Sequence, residues 1–168
     1  MTNLNPDKKR QLVEFISHHR LATLASLGPD GAPQAALMNI AVTQDLEVVF
    51  ETTSQTRKFI NLERDSRVAL VIGWSGQETL QYEGRAIRPD GRRRDMARDA
   101  FVAAFPAKTA DEHWPSNAYF LVTPHWLRFS SYYRPRFVEE YRLVDPIVAK
   151  PGCWARLRHS ARTARQSD

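Results

Sequence analysis

Residues 21–53 read LATLASLGPDGAPQAALMNIAVTQDLEVVFETT, which is three apolar segments separated by two short polar ones. Leu21–Leu27 predicts a strand, and the tight turn at residues 28–31 returns the chain into a second strand at residues 32–43. A further short connection at residues 44–45 leads into a third strand at residues 46–52, where apolar and charged side chains alternate. Strands joined by such short turns favour an antiparallel sheet.

The rest of the chain continues this pattern and adds helices. Helices are predicted from Pro6 to about Arg20, at residues 56–65 and at residues 90–105, with apolar side chains such as Met96 and Phe101 along the last one. Further strands are predicted at residues 67–74, 78–88, 119–123, 126–131 and 137–143. Residues 67–74 are apolar on both faces, which predicts a central strand, and Gly84 marks a bulge or bend in the next one.

We therefore expect a mainly β (α+β) fold, in which a six- to seven-stranded antiparallel sheet closes into a small barrel with peripheral helices. Side chains fill the interior of such a barrel. A sizeable cofactor must then bind outside it or between subunits.

The composition is typical of one globular domain, with 168 residues of which 42% are hydrophobic and 26% charged. No segment has the roughly twenty apolar residues that span a bilayer, and the charged first twenty residues lack the apolar core of a secretory signal. We expect a cytoplasmic protein with no membrane partner. The single cysteine, Cys153, excludes an intrachain disulfide, and the five histidines show no metal-ligand spacing.

The net charge of +5 belongs mainly to the end of the chain. Residues 150–168 contain five Lys or Arg and one Asp, which leaves 19 cations and 18 acids in residues 1–149. We expect a domain at residues 1–145 and a basic tail at residues 146–168. Nucleic acid is thus not the favoured partner, although a module that binds it through the tail and residues 92–94 stays open as an alternative.

The hydroxyl-rich segment TTSQTRK at residues 52–58 lies between a predicted strand and a predicted helix. Arg57 and Lys58 fall in the first turn of that helix, where the positive end of the dipole disfavours cations, and the helix offers no carboxylate three or four residues later. A bound anion would explain this placement, because backbone N–H groups, the hydroxyls of Ser54 and Thr56 and the two cations make a phosphate cradle. The alternative is a solvated helix start whose cations pair with acids elsewhere in the fold.

A succession of short motifs runs along the chain: LATL (21–24), GPDGAP (28–33), VVFET (48–52), TRK (56–58), NL (61–62), DSRVAL (65–70) and EGRA (83–86). In order and spacing, it resembles the pyridoxamine 5'-phosphate oxidase-like flavoproteins over about residues 20–143. This resemblance implies a split β-barrel homodimer that binds FMN in two symmetric clefts at the subunit interface. The flavin would supply the hydride or electron chemistry of an oxidoreductase.

The resemblance also implies which residues contact the cofactor. They are Arg57, Lys58, Thr56, Thr52, Glu51, Leu37, Met38, Asn39, Thr79, Gln81, Trp126 and Ser130. The first three would hold the phosphate, and Glu51 and Thr52 would lie beside the flavin at the end of the third strand. Residues 37–39 would line the ring, residues 79 or 81 would reach it from the fifth strand, and the late strand would serve the partner's flavin. Core packing of Leu37 and Met38, and an interface or core role for Trp126, remain open.

Two departures limit what the resemblance implies. Ala36 stands where many members have an arginine that helps to hold the phosphate. Residues 134–137, RPRF, do not reproduce the arginine–histidine segment with which the true oxidase binds its vitamin B6 substrate. We therefore expect a flavin-dependent oxidoreductase of another small-molecule substrate or electron donor, with no catalytic residue identified. An F420-dependent reductase and a non-catalytic flavin or haem binder are the alternatives.

Overall fold

The computed structural model describes residues 4–107 and 117–143, which form three helices and one antiparallel sheet of eight strands. The helices are α1 (Pro6–His18), α2 (Arg57–Arg64) and α3 (Gly91–Ala104). The strands are β1 (Leu21–Leu27), β2 (Pro33–Asn39), β3 (Ala41–Val42), β4 (Val48–Thr53), β5 (Arg67–Ile72), β6 (Glu78–Ile87), β7 (Asn117–Ser131) and β8 (Phe137–Arg142). The predicted basic tail, with Cys153, lies outside the described residues.

The strands follow one another across the sheet in the order β2-β1-β5-β6-β7-β4-β3. β7 is long enough to serve two neighbours on one side: its first half pairs with β4 and its second half with β8. The sheet curls until β2 approaches β4. The expected mainly β fold with a curled, barrel-like antiparallel sheet is confirmed.

Two strand boundaries differ from the prediction for identifiable reasons. The predicted second strand is divided at Ile40, because β2 pairs with β1 whereas the short β3 pairs with β4. The two strands predicted around Pro124 are one continuous strand, because β6 shifts register at Glu83 and Gly84 and sets Gly84 opposite the proline. A side chain at Gly84 would meet the carbonyl oxygen of Thr123, so the bulge expected there is confirmed and needs glycine.

The inner face of the curled sheet is closed by packed apolar side chains. α1 contributes Leu12 and Ile16 to this core, in which Tyr82 is fully buried. The Tyr82 hydroxyl lies 2.7 Å from the carbonyl oxygen of Val122, which accepts its proton. On the other side of β4 and β7, Phe101 of α3 packs in a second, smaller cluster. Since side chains fill the inner space, a large ligand has to bind at the periphery.

The face of the sheet that points away from the core is open over β1, β2 and β5 to β8. The cross-strand register sets Leu37, Thr23, Val71, Gln81 and Arg128 side by side on it. We call this surface the outer face. β5 lies between β1 and β6, as expected of a central strand, but its side chains on this face are exposed.

The helices begin and end close to the predicted positions. Asn5 caps α1, since its side chain accepts a hydrogen bond from the amide of Lys8 (2.8 Å). The apolar stripe predicted for α3 is wrong at Met96, which is exposed, whereas Ala97 and Phe101 are buried. Among the described residues, no helix is both long enough and apolar enough to cross a membrane.

Candidate functional site

The connection between β4 and α2 is shaped by its threonine hydroxyls. Thr56 is the N-cap of α2: its Oγ1 accepts from the amide of Phe59 (3.3 Å) and donates to the carbonyl of Thr53 (3.0 Å). Thr52 Oγ1 lies 2.8 Å from Thr56 Oγ1. The hydroxyls thus fix the direction in which α2 leaves the sheet. They thereby also fix the position of the positive end of the helix dipole.

Arg57 and Lys58 follow this cap and line a pocket of about 320 Å³. Neither forms an ion pair with an acid among the described residues. Lys58 Nζ donates a long hydrogen bond to Thr52 Oγ1, at 3.4 Å. The alternative that these cations pair with acids elsewhere in the fold finds no support in the part of the chain that the structure describes.

Burial lowers the pKa of the Lys58 ammonium below its usual value. The side chain has lost water around its charge, and no carboxylate compensates for that loss. An anion in the pocket would stabilise the charged form of the Lys58 ammonium. The site is therefore electrostatically suited to bind one.

The opposite wall of the pocket comes from the hairpin of β1 and β2. It is formed by Leu24, Ser26, Gln34, Ala35 and Ala36, and none of the residues lining the pocket is acidic. Ala36, which departs from the resembled pattern, thus lies in the same pocket as the two cations. A longer basic side chain at this position would have access to the same anion.

A buried asparagine joins the two walls. Asn61 of α2 is 2% exposed, and its Nδ2 donates to Ser26 Oγ at 3.0 Å and to Gln34 Oε1 at 3.1 Å. The local sequence pattern predicts no role for these three residues. The available signal was a polar residue in the inward-facing alternation of β1, where Ser26 follows Ala22 and Leu24.

The two predicted residues at the end of β4 point to different sides. Thr52 is buried and belongs to the hydroxyl cluster beside Lys58. Glu51 points to the other side of the strand, where its carboxylate accepts a hydrogen bond from the side chain of Asn117. The structure therefore places Thr52 next to Thr56 and Lys58, which line the pocket, and directs the Glu51 carboxylate away from it.

The remaining predicted residues lie outside this pocket. Met38 is buried in the core, so the packing interpretation fits it, whereas Leu37 on the outer face is 62% exposed. The others also project from the outer face: Asn39 from β2, Thr79 and Gln81 from β6, and Trp126 and Ser130 from β7. Within one chain, the predicted site is thus divided between the pocket and the outer face.

The comparisons with known proteins agree on one family. Residues 9–131 match the family described as Pyridoxamine 5'-phosphate oxidase. A pyridoxine/pyridoxamine 5'-phosphate oxidase from Azorhizobium caulinodans is 31% identical over 94 residues. That match covers 56% of this chain and 43% of the relative, so the chain matches less than half the length of that protein.

Solved structures share the fold at low sequence identity. A heme binding protein from Mycobacterium smegmatis superposes with a TM-score of 0.69 at 18% identity, covering 80% of this chain and 57% of that one. A putative pyridoxamine 5'-phosphate oxidase from Listeria innocua gives a TM-score of 0.58 at 17% identity, covering 72% of this chain and 96% of that one. These likenesses support the curled-sheet fold.

The lowered pKa of Lys58 leads to a pH prediction. The affinity for orthophosphate should fall as the pH rises through the pKa of Lys58, because the ammonium then loses its charge. A Lys58→Arg variant remains charged and should keep its affinity over the same range. Equilibrium dialysis between about pH 8 and pH 10.5 measures the phosphate affinity of both proteins. The ratio of the two affinities at each pH cancels the effect of protonation of phosphate itself. A ratio that stays constant would place the anion away from Lys58.

Proposed function

The chain belongs to the pyridoxamine 5'-phosphate oxidase family, and on that premise we propose that it is a flavoprotein that holds the phosphate of FMN in the pocket at the start of α2. The observation that carries the proposal is the pair of cations, Arg57 and Lys58, in a pocket without an acidic residue. A phosphate ester carries up to two negative charges and accepts several hydrogen bonds, so its chemistry matches these donors.

Each residue of the pocket has a distinct task in this proposal. The Arg57 guanidinium can donate two parallel hydrogen bonds to phosphate oxygens, and the Lys58 ammonium supplies a second positive charge. Thr56 already donates its only hydroxyl proton to the carbonyl of Thr53, so it orients the start of the helix. The free backbone N–H groups of the first turn add to the attraction.

We propose that the chain is an oxidoreductase that acts on a small-molecule substrate or electron donor, with the flavin supplying hydride or electron transfer when bound. The protein would then contribute binding, orientation and access. We do not propose oxidation of pyridoxamine phosphate, because residues 134–137 depart from the substrate-binding pattern of the true oxidase.

We further propose that two copies of the chain associate through their outer faces and place the flavin between them. Leu37, Val71 and Val138 are exposed apolar side chains on this face, which is unusual for a surface that stays in water. The same face carries Arg128, whose Nε is buried without a hydrogen-bond partner and lies 3.8 Å from Glu140 Oε1. A second copy would cover the apolar side chains and could supply an acceptor.

The phosphate contacts predict a selective loss in a double variant. Arg57→Ala combined with Lys58→Ala should weaken FMN binding by about a hundredfold, because two charge-assisted contacts are lost, and should leave riboflavin binding nearly unchanged. Fluorescence titration of the protein stripped of its cofactor measures both affinities. The matched control combines Arg92→Ala with Arg94→Ala on α3, which removes the same charge elsewhere. Equal losses for FMN and riboflavin would move the phosphate to another site.

The visible spectrum of the purified protein tests the cofactor itself. FMN binding predicts a flavin spectrum, or the ability of the stripped protein to bind FMN at micromolar concentration. A deazaflavin spectrum would favour the F420 alternative, and a Soret band would favour haem. Absence of a flavin spectrum together with no binding of added FMN would refute the proposal.

Ala36 allows the opposite experiment, a gain of affinity. Ala36→Arg should add a third cation to the pocket and tighten FMN binding by about tenfold, with little effect on riboflavin. Ala36→Leu adds bulk without charge and should give no gain. An arginine variant that binds FMN no more tightly than the leucine variant would show that this wall does not face the phosphate.

The outer face predicts the effect of a charge on assembly. Val71→Lys should convert the dimer to a monomer and weaken FMN binding, because a buried unpaired ammonium opposes association and the partner's residues are lost. Met96→Lys places the same charge on exposed α3 and should change neither property. Sedimentation equilibrium measures the mass. A variant at position 71 that remains dimeric would exclude this face as the interface.

A further inference from the structure

Asn61 is a buried polar residue whose hydrogen bonds all lead to one wall of the pocket. It lies four residues after Arg57 and three after Lys58, so the three side chains share one side of α2. Its Nδ2 has two hydrogens, and they go to Ser26 and Gln34, which lie directly opposite each other on β1 and β2. Burying an amide is costly unless it is bonded, so this arrangement locks α2 against the hairpin at a fixed distance.

The direction of the hydrogen bond from Asn61 determines which hydrogen bond the Ser26 hydroxyl can still form. Its Oγ accepts from Asn61, so its own proton points elsewhere. Ser26 is 5% exposed and lines the pocket, and no acceptor for its proton is found among the described residues. A buried donor without an acceptor is costly, and an acceptor inside the pocket would remove that cost.

The side-chain amide of Gln34 is held in the same way. Its Oε1 accepts from Asn61, which leaves the Nε2 hydrogens for other partners, and no acceptor for them is found in the described part of the chain. Nε2 lies over Gly28, where a Cβ would come within 2.7 Å of it. The Ser26 hydroxyl is thus a neutral donor on the wall that faces Arg57 and Lys58, whereas Gln34 Nε2 lies at the hairpin turn.

We propose that Ser26 is a direct ligand of the bound phosphate through its hydroxyl proton, and that Asn61 is the positioning residue that aims this proton into the pocket. This inference rests on the proposed FMN site. Ser26 and Gln34 occupy the hairpin wall that also contains Ala36. A neutral hydrogen bond from this wall therefore takes the place of a third cation, and the phosphate is held between a charged helix start and an uncharged hairpin.

The test is the ratio of riboflavin to FMN dissociation constants, which a purely structural role of either residue would not change. Ser26→Ala should weaken FMN binding by about tenfold and leave riboflavin within about twofold, since one hydrogen bond to a charged group is lost. Asn61→Asp keeps the shape of the side chain but turns its donor into an acceptor, so the Ser26 proton is drawn away from the pocket. It should lower the same ratio at least as strongly. Ser17→Ala is the matched control, because Ser17 donates to the carbonyl of Val13 on α1, away from the pocket.

The outcomes separate this inference from the proposed function. A lower ratio of riboflavin to FMN dissociation constants in both the Ser26 and the Arg57/Lys58 variants supports the inference. A lower ratio in the Arg57/Lys58 variant alone overturns the role of Ser26 and leaves the proposed FMN site unaffected. Equal losses of FMN and riboflavin affinity in Ser26→Ala have the same meaning. A ratio that none of these variants changes overturns both. Should Asn61→Asp fail to fold, Ser26→Ala decides alone.

Discussion

The electrostatic constraint at the first turn of α2 organises the candidate site. Arg57 and Lys58 lie where the helix dipole is already positive, and the structure places no acid of the described chain against them. Such an arrangement disfavours the folded protein without a ligand, and the burial that lowers the pKa of Lys58 adds to this cost. Two cations without a counter-ion have an electrostatic cost in the free protein. A bound anion removes this cost and a neutral ligand does not, so the site favours anions.

The second requirement is that the charged helix start stays in place despite this repulsion. The N-cap hydrogen bond of Thr56 fixes where α2 begins, and Asn61 fixes its other side to the hairpin through Ser26 and Gln34. The two attachments are five residues apart on a short helix. Neither depends on a charged group, so they persist whether or not an anion is bound. The pocket is therefore preorganised by neutral hydrogen bonds, and its charges remain available for the ligand.

Local sequence patterns were sufficient for most of the fold and for one wall of the pocket. Alternating side chains and tight turns predicted β1 within its observed bounds, and the TTSQTRK segment located the helix start with its cations. The continuity of β7 through Pro124 was not predictable, because it depends on a bulge opposite Gly84 in another strand. The Asn61 contacts were missed for the same reason, since partners 35 and 27 residues away appear only when the sheet has curled. Long-range contacts decide which polar residues become ligands, and one sequence does not display them.

The division of the predicted contacts between two surfaces has a geometric consequence. The pocket opens between α2 and the inner side of the β1–β2 hairpin, whereas Gln81 and Ser130 project from the opposite side of the sheet. In the dimer that we propose, a flavin whose phosphate lies in the pocket of one chain would reach these outer-face residues on the other chain. The proposed two-fold dimer would thus explain why the implied contacts lie on both sides of the sheet. Each of its two sites would then be incomplete in a single subunit.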